Sequence, residues 1–281
     1  MKKSMVGTYA RRLILAGAMA VGIVSHNGGG AVSAEPTHRV NLYDGGELGY
    51  LVKINAPGRC SGAMIRENQV ITAAHCIIDR RTGKPSTDIS VEVAGKTFRP
   101  AFVIYDRSFV EPYVKDKKGI GVTRDVAILS FTSKLGGRVV ATGQGLPAGG
   151  QLIALGYQST WPETGELLRP KFYDDKSYLK PGINRFESKP AACHIPVGEV
   201  EVRPEGLSAN CGLIPGASGG PLLLVSGDGA KLVGILSTVN QTLTRNNWAG
   251  SVDISRIENR VAGVVVHSQN GPIAGAPPYR S

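Results

Sequence analysis

Three short segments carry side chains able to do nucleophilic chemistry: Thr72-Ala73-Ala74-His75-Cys76, Asp125-Val126-Ala127-Ile128-Leu129 and Gly216-Ala217-Ser218-Gly219-Gly220-Pro221. A serine hydroxyl is a weak nucleophile, so attack on a carbonyl needs a base that takes its proton as the new bond forms. An imidazole titrates near neutrality and suits that task. A carboxylate can hold the ring in one tautomer and stabilise the imidazolium that develops. Read singly, each segment is modest. A His beside a Cys is commonly structural, an Asp before an apolar run is commonly a cap, and a Ser among glycines is commonly a turn. Taken together in the order His, Asp, Ser, they point to catalysis.

The elements that must position these groups read as strands. Residues 49–54, 60–65, 69–71, 89–93 and 97–104 are short, rich in Val and Ile, and separated by turn residues, and Asp125 precedes a further apolar run at 126–131. No sustained apolar stripe at helical spacing occurs in this half, which predicts an antiparallel barrel or sandwich. Residues 135–150 are dense in Gly and fit a crossing between two subdomains, with the boundary near Gly145. The second half resumes at 152–156, followed by a polar, Pro-bearing excursion over 161–190 that reads as a surface insertion. Residues 222–225 and 232–237 flank Ser226-Gly227-Asp228-Gly229, a hairpin signal that places Ser218 just before a strand pair. Residues 254–260 suggest a short helix, 261–266 a last apolar run, and 268–281 a loosely held tail.

The chain opens with Lys2, Lys3, Arg11 and Arg12, then 12 apolar-rich residues from Leu13 to Val24, then the small residues Val32, Ser33 and Ala34. This reads as a secretory signal peptide cleaved after Ala34, and the apolar stretch is too short for a membrane span, which needs about 20 residues. Removal of residues 1–34 deletes those four cations and no acid, so the formal charge falls from +10 to +6. No Lys/Arg run is dense enough for a nucleic-acid stripe; the residual charge suits solubility or weak attraction to acidic cell surfaces. The remaining 247 residues form enough chain for two packed subdomains. Four cysteines, Cys60, Cys76, Cys193 and Cys211, are an even set in an exported chain and predict disulfides. Three pairings are possible; Cys60 with Cys76 and Cys193 with Cys211 each close a short loop and are the expected pair. The spacing lacks a CxxC half-site for zinc and no Ca²⁺ loop is present, so neither metal nor cofactor is implied.

The three motifs in this order resemble those of the trypsin-like serine peptidases, over nearly the whole of the chain after residue 34 and most sharply at the motifs. That resemblance implies an all-β fold of two antiparallel six-stranded β-barrels with a short C-terminal helix, the first barrel over 35–145 and the second over 146–267. It implies a secreted, monomeric endopeptidase acting on proteins or peptides through an acyl-enzyme, with His75, Asp125 and Ser218 as the triad. The backbone N–H groups of Gly216 and Ser218 are its implied oxyanion donors, and Gly212, Ser237, Thr238 and Val239 its implied substrate pocket. The placing of Cys193 and Cys211 resembles the bacterial branch. Ala217 stands where the animal enzymes carry an Asp that pairs with a newly exposed N-terminus, so activation by that ion pair is excluded. Gly212 occupies the position of an Asp in Arg/Lys-cleaving members, and Leu236 that of a His in glutamyl-specific ones. With Val239 narrowing the entrance, a small or medium apolar P1 residue is expected.

Two other readings compete. Gly216-Ala217-Ser218-Gly219-Gly220 also satisfies the G-x-S-x-G pattern of α/β-hydrolases, with Asp253 and His267 as partners, but that fold needs a helix directly after the serine. A catalytically silent relative binding a peptide, cell-wall component or protein would keep the same scaffold. His194, Trp161 and Trp248 read as ordinary surface or capping residues.

Overall fold

The computed structural model describes residues 40–56, 58–115, 124–143, 145–160, 164–167, 187–203, 206–209, 211–213, 216–239, 246–250 and 264–268. The expected signal peptide, the helix at 254–260, nearly all of the tail and most of the 161–190 excursion lie outside these residues. Two antiparallel sheets dominate, as expected of an all-β, two-barrel chain. The central strands, such as Arg59–Arg66 and Gln69–Thr72, are buried nearly along their length, and β-branched and other apolar side chains pack well on such a pleated surface.

The first sheet runs, in order of pairing, Val264–Ser268, Phe102–Asp106, Ala127–Ser130, Gln69–Thr72, Arg59–Arg66, Leu51–Asn55, Ser90–Val93 and Lys96–Phe98. The second runs Asn41–Leu42, Glu187–Pro196, Gln151–Thr160, Pro221–Ser226, Gly229–Val239, Asn246–Gly250, Gly206–Ala209 and Glu201–Arg203, with Ala141–Thr142 pairing alongside Gly229–Val239. Among the described residues the two sheets hold eight and nine strands, counting the short pairings Asn41–Leu42, Lys96–Phe98 and Ala141–Thr142 and the C-terminal strand Val264–Ser268. The hairpin at Gly227-Asp228 forms as expected, with Ser226 paired to Gly229.

Several local expectations are corrected. The run 97–104 breaks into two strands, Lys96–Phe98 and Phe102–Asp106; Pro100 has no N–H for a ladder. Residues 107–114 form a helix where none was foreseen: Asp106 caps it through Ser108 N at 2.8 Å, and Phe109 stacks on Tyr113 one turn on. Its apolar residues, Phe109, Val110, Tyr113 and Val114, span less than two turns, too short a signal for periodicity. The excursion ends sooner than expected, since Glu187 to Pro190 already pair with Tyr157 to Thr160.

One cluster of buried side chains joins both sheets, with Ile54, Met64, Ile71 and Leu129 of the first against Leu155, Leu223 and Ile235 of the second. A second cluster lies within the second sheet around Leu152, Ile195, Leu222 and Leu236. Both expected disulfides are present, Cys60–Cys76 and Cys193–Cys211. Among the described residues no helix is long and apolar enough to cross a membrane.

Candidate active site

Register brings the first two groups together. Ala127 pairs with Thr72 across an antiparallel ladder, so Asp125, two residues before one strand, meets the chain two to three residues after the other. There the short helix Ala74–Ile77 presents His75, and the Cys60–Cys76 bridge ties that helix to the neighbouring strand Arg59–Arg66. Asp125 Oδ2 accepts from His75 Nδ1 at 2.6 Å and Oδ1 from the His75 backbone N–H at 2.8 Å. The Asp125 side chain is 3% exposed while the imidazole is 23% exposed. One partner is therefore locked away and the other reachable.

Burial alone would raise Asp125, but the adjacent His75, its hydrogen bond and the Ser237 hydroxyl together hold the carboxyl below its ordinary range. Burial pulls His75 down, yet the charge of Asp125 and their hydrogen bond outweigh it and raise the imidazole above its usual value. Each partner thus favours the other's charged form.

The turn before the strand Pro221–Ser226 carries the third group, Ser218, and the neighbouring strand Gly229–Val239 faces it with Ser237. Pro221 pairs with Ile235, so Ser218 and Ser237 face each other just beyond the paired ends. The Ser218 hydroxyl donates to the Ser237 carbonyl at 3.4 Å, and the Ser237 hydroxyl donates to Asp125 Oδ2. Ser237, expected on the pocket edge, is 3% exposed and places its hydroxyl on the carboxylate. Thr238 and Val239 continue that strand, with their side chains outside the described part of the structure. Gly212 is half-buried, beside Leu213, which is buried with Leu236 in the second core cluster.

The turn carrying Ser218 requires glycine at two positions. Gly216 has φ +108° and a Cβ there would lie 2.8 Å from the Tyr157 carbonyl; Gly219 has φ +79° and its Cβ would lie 2.1 Å from Thr72 Oγ1. Gly219 N–H bonds to Leu236 O at 2.6 Å and Gly220 N–H to Ala217 O at 2.9 Å. The N–H groups of Gly216 and Ser218 have no such partner among the described residues.

Two contributors were not foreseen. Tyr113, on the helix Arg107–Val114, donates its hydroxyl to the His75 carbonyl at 3.4 Å. Ser61 lies fully buried between the nucleophile turn and the strand Gln151–Thr160. The available signal was a hydroxyl inside the otherwise apolar run from Cys60 to Ile65. Cys60, His75 and Cys76 cluster tightly, but both sulfurs are consumed in one disulfide and offer no thiolate to a metal.

The α/β-hydrolase requirement fails: Ser218 leads into the strand Pro221–Ser226, not a helix. Asp253 lies outside the described residues.

Comparison with known proteins gives the family of the domain. The family model of the trypsin-like peptidase domain matches residues 60–235, more than half of the chain. A solved structure of a mutant human heparin binding protein is similar at TM-score 0.52, with 15% identity over 80% of this chain and 97% of that one. A Glu endopeptidase gives TM-score 0.49, with 13% identity over 80% and 96%. The protease Anisep of Arthrobacter nicotinovorans gives 0.49, with 14% identity over 79% and 95%. No curated protein matches the sequence.

Proposed function

The chain belongs to the trypsin-like peptidase family, and from that premise we propose that it is a secreted serine endopeptidase, released by cleavage after Ala34. The observation that carries the proposal is the convergence of His75 and Ser237 on Asp125, with Ser237 touching Asp125 through its hydroxyl and the Ser218 hydroxyl through its carbonyl. For acylation the Ser218 hydroxyl must leave the Ser237 carbonyl for His75, a change between staggered positions of its side chain. His75 then takes the proton as Ser218 Oγ attacks the substrate carbonyl, and returns it to the leaving amine. Asp125 stays ionised and stabilises the imidazolium. The N–H groups of Gly216 and Ser218 receive the tetrahedral oxyanion, and water releases the acyl group by the same steps in reverse. The acyl-enzyme needs no cofactor.

For P1, the side chain supported best is small or medium and apolar. Gly212 brings no charge, and Leu213 and Leu236 are buried close by in apolar surroundings. A second reading, an extracellular binding scaffold, is favoured by one observation: the Ser218 hydroxyl is engaged by a carbonyl and not by the base.

One experiment separates them. The secreted protein, Ser218→Ala and His75→Ala are treated with a fluorophosphonate and weighed intact. One adduct on the parent and none on either variant is expected. A folded parent that takes no label refutes the peptidase and leaves the scaffold. Cleavage of a peptide library dominated by Arg or Glu at P1 would refute the apolar pocket.

A further inference from the structure

Ser61 makes four hydrogen bonds, and two of them reach the turn that bears the nucleophile. Its N–H donates to the Ser218 carbonyl at 2.8 Å, and its hydroxyl donates to the Gly216 carbonyl at 2.8 Å. The same hydroxyl accepts the Tyr157 N–H at 2.7 Å, and the Ser61 carbonyl accepts the Thr72 hydroxyl at 2.7 Å. Its position is stiff: Ser61 pairs with Lys53 in the ladder and sits next to the Cys60–Cys76 bridge. A single residue of the first sheet thus grips both ends of the segment Gly216 to Ser218.

That segment contains both proposed oxyanion donors. An N–H stabilises a developing oxyanion only if its direction is set before the reaction begins. The peptide group after Gly216 is the weak point, because glycine leaves its rotation nearly free. Here its carbonyl is drawn to the Ser61 hydroxyl, and the turn backs onto Tyr157, whose N–H the same oxygen accepts. Loss of that oxygen leaves the buried Gly216 carbonyl and the Tyr157 N–H without this partner at once. Rotation of the Gly216 peptide is the simplest relief, and rotation misdirects the neighbouring donors.

We propose that Ser61 is a positioning residue whose hydroxyl holds the Gly216 peptide, and with it the oxyanion-binding turn, in the conformation that supports acylation. The inference rests on the serine-peptidase reading. It separates Ser61 from ordinary packing glue, which would alter the amount of folded protein and leave the turnover of each folded molecule unchanged.

The test compares the parent with Ser61→Ala, Ser61→Gly and Ser61→Thr. Removing the hydroxyl, by Ala or Gly, should lower kcat about 100-fold, the effect of misplacing one oxyanion donor. KM should stay within about threefold, because ground-state contacts are untouched. Thr restores the hydroxyl and should recover most of the lost kcat. Parent-like kcat in folded Ser61→Ala or Ser61→Gly overturns the proposal, as does an equal loss in all three. Hydrogen exchange at the Tyr157 amide adds a reading independent of turnover: it should speed up in Ser61→Ala, and unchanged exchange overturns the bridge. A parent inert to fluorophosphonate, by contrast, overturns the peptidase reading itself.

Discussion

Asp125→Asn is the substitution whose consequence the site dictates most fully. Asp125 accepts three donors: the His75 backbone N–H at Oδ1, and His75 Nδ1 and the Ser237 hydroxyl at Oδ2. An asparagine must put its NH₂ at one of these places. It cannot face the His75 backbone N–H, a donor that can neither turn nor lose its proton, so the NH₂ takes the place of Oδ2. The Ser237 hydroxyl can rotate to accept, but the imidazole can accept only by moving its proton from Nδ1 to Nε2. The nitrogen meant to receive the Ser218 proton is then already protonated. Such a wrong tautomer costs about 10⁴-fold in kcat in this kind of triad, or about 5.4 kcal/mol of barrier at 1.36 kcal/mol per decade. The same change removes the charge that raises His75, leaving burial, which lowers it. The acid limb of kcat/KM, set in the parent by an imidazole above its usual value, should fall below that value in the variant. Peptide hydrolysis from pH 5 to 9, with thermal unfolding to establish folding and ¹⁵N spectra to assign the His75 tautomer, measures both effects. A folded Asn variant within about tenfold of the parent at pH 8 would refute the assignment of Asp125.

Further outcomes follow from the surroundings of the triad. Gly219→Ala forces a side chain into positive φ and to within 2.3 Å of the Ser61 carbonyl; a loss of about 2–5 kcal/mol in urea unfolding is expected. A loss under about 0.5 kcal/mol would mean that the turn relaxes freely. The Cys193–Cys211 bridge spans 18 positions, so the double Ala variant should lose about 3 kcal/mol, chiefly through the unfolded chain. A denaturation midpoint equal to the parent's would contradict that account.

Much of the site could be read along the chain because its signals are local. The three motifs each lie within six residues, the Gly227-Asp228 hairpin is announced by its own turn, and the strands carry their β-branched residues in short runs. Both neighbour disulfides could be anticipated from short loops. The helix Arg107–Val114 was not legible because a cap and an apolar stripe of less than two turns, interrupted by Pro112, make too brief a pattern. The strand Glu187–Pro196 was masked by Pro190 and by the polar stretch before it.

What the amino-acid sequence determined by itself was which groups are present, in what order, and which segments extend. What only the tertiary structure decided was register and contact. Thr72 opposite Ala127 brings Asp125 to His75; Pro221 opposite Ile235 brings Ser237 between the carboxylate and Ser218; the strand Val264–Ser268 closes on Phe102–Asp106, far back in the chain. Ser61 shows the difference most clearly. In sequence it is a small polar residue beside a cysteine, and its four partners lie 11 to 157 positions away. A hydroxyl carries no mark of the carbonyl it will meet, since that pairing exists only once two sheets have packed and shut out the water that would otherwise satisfy both.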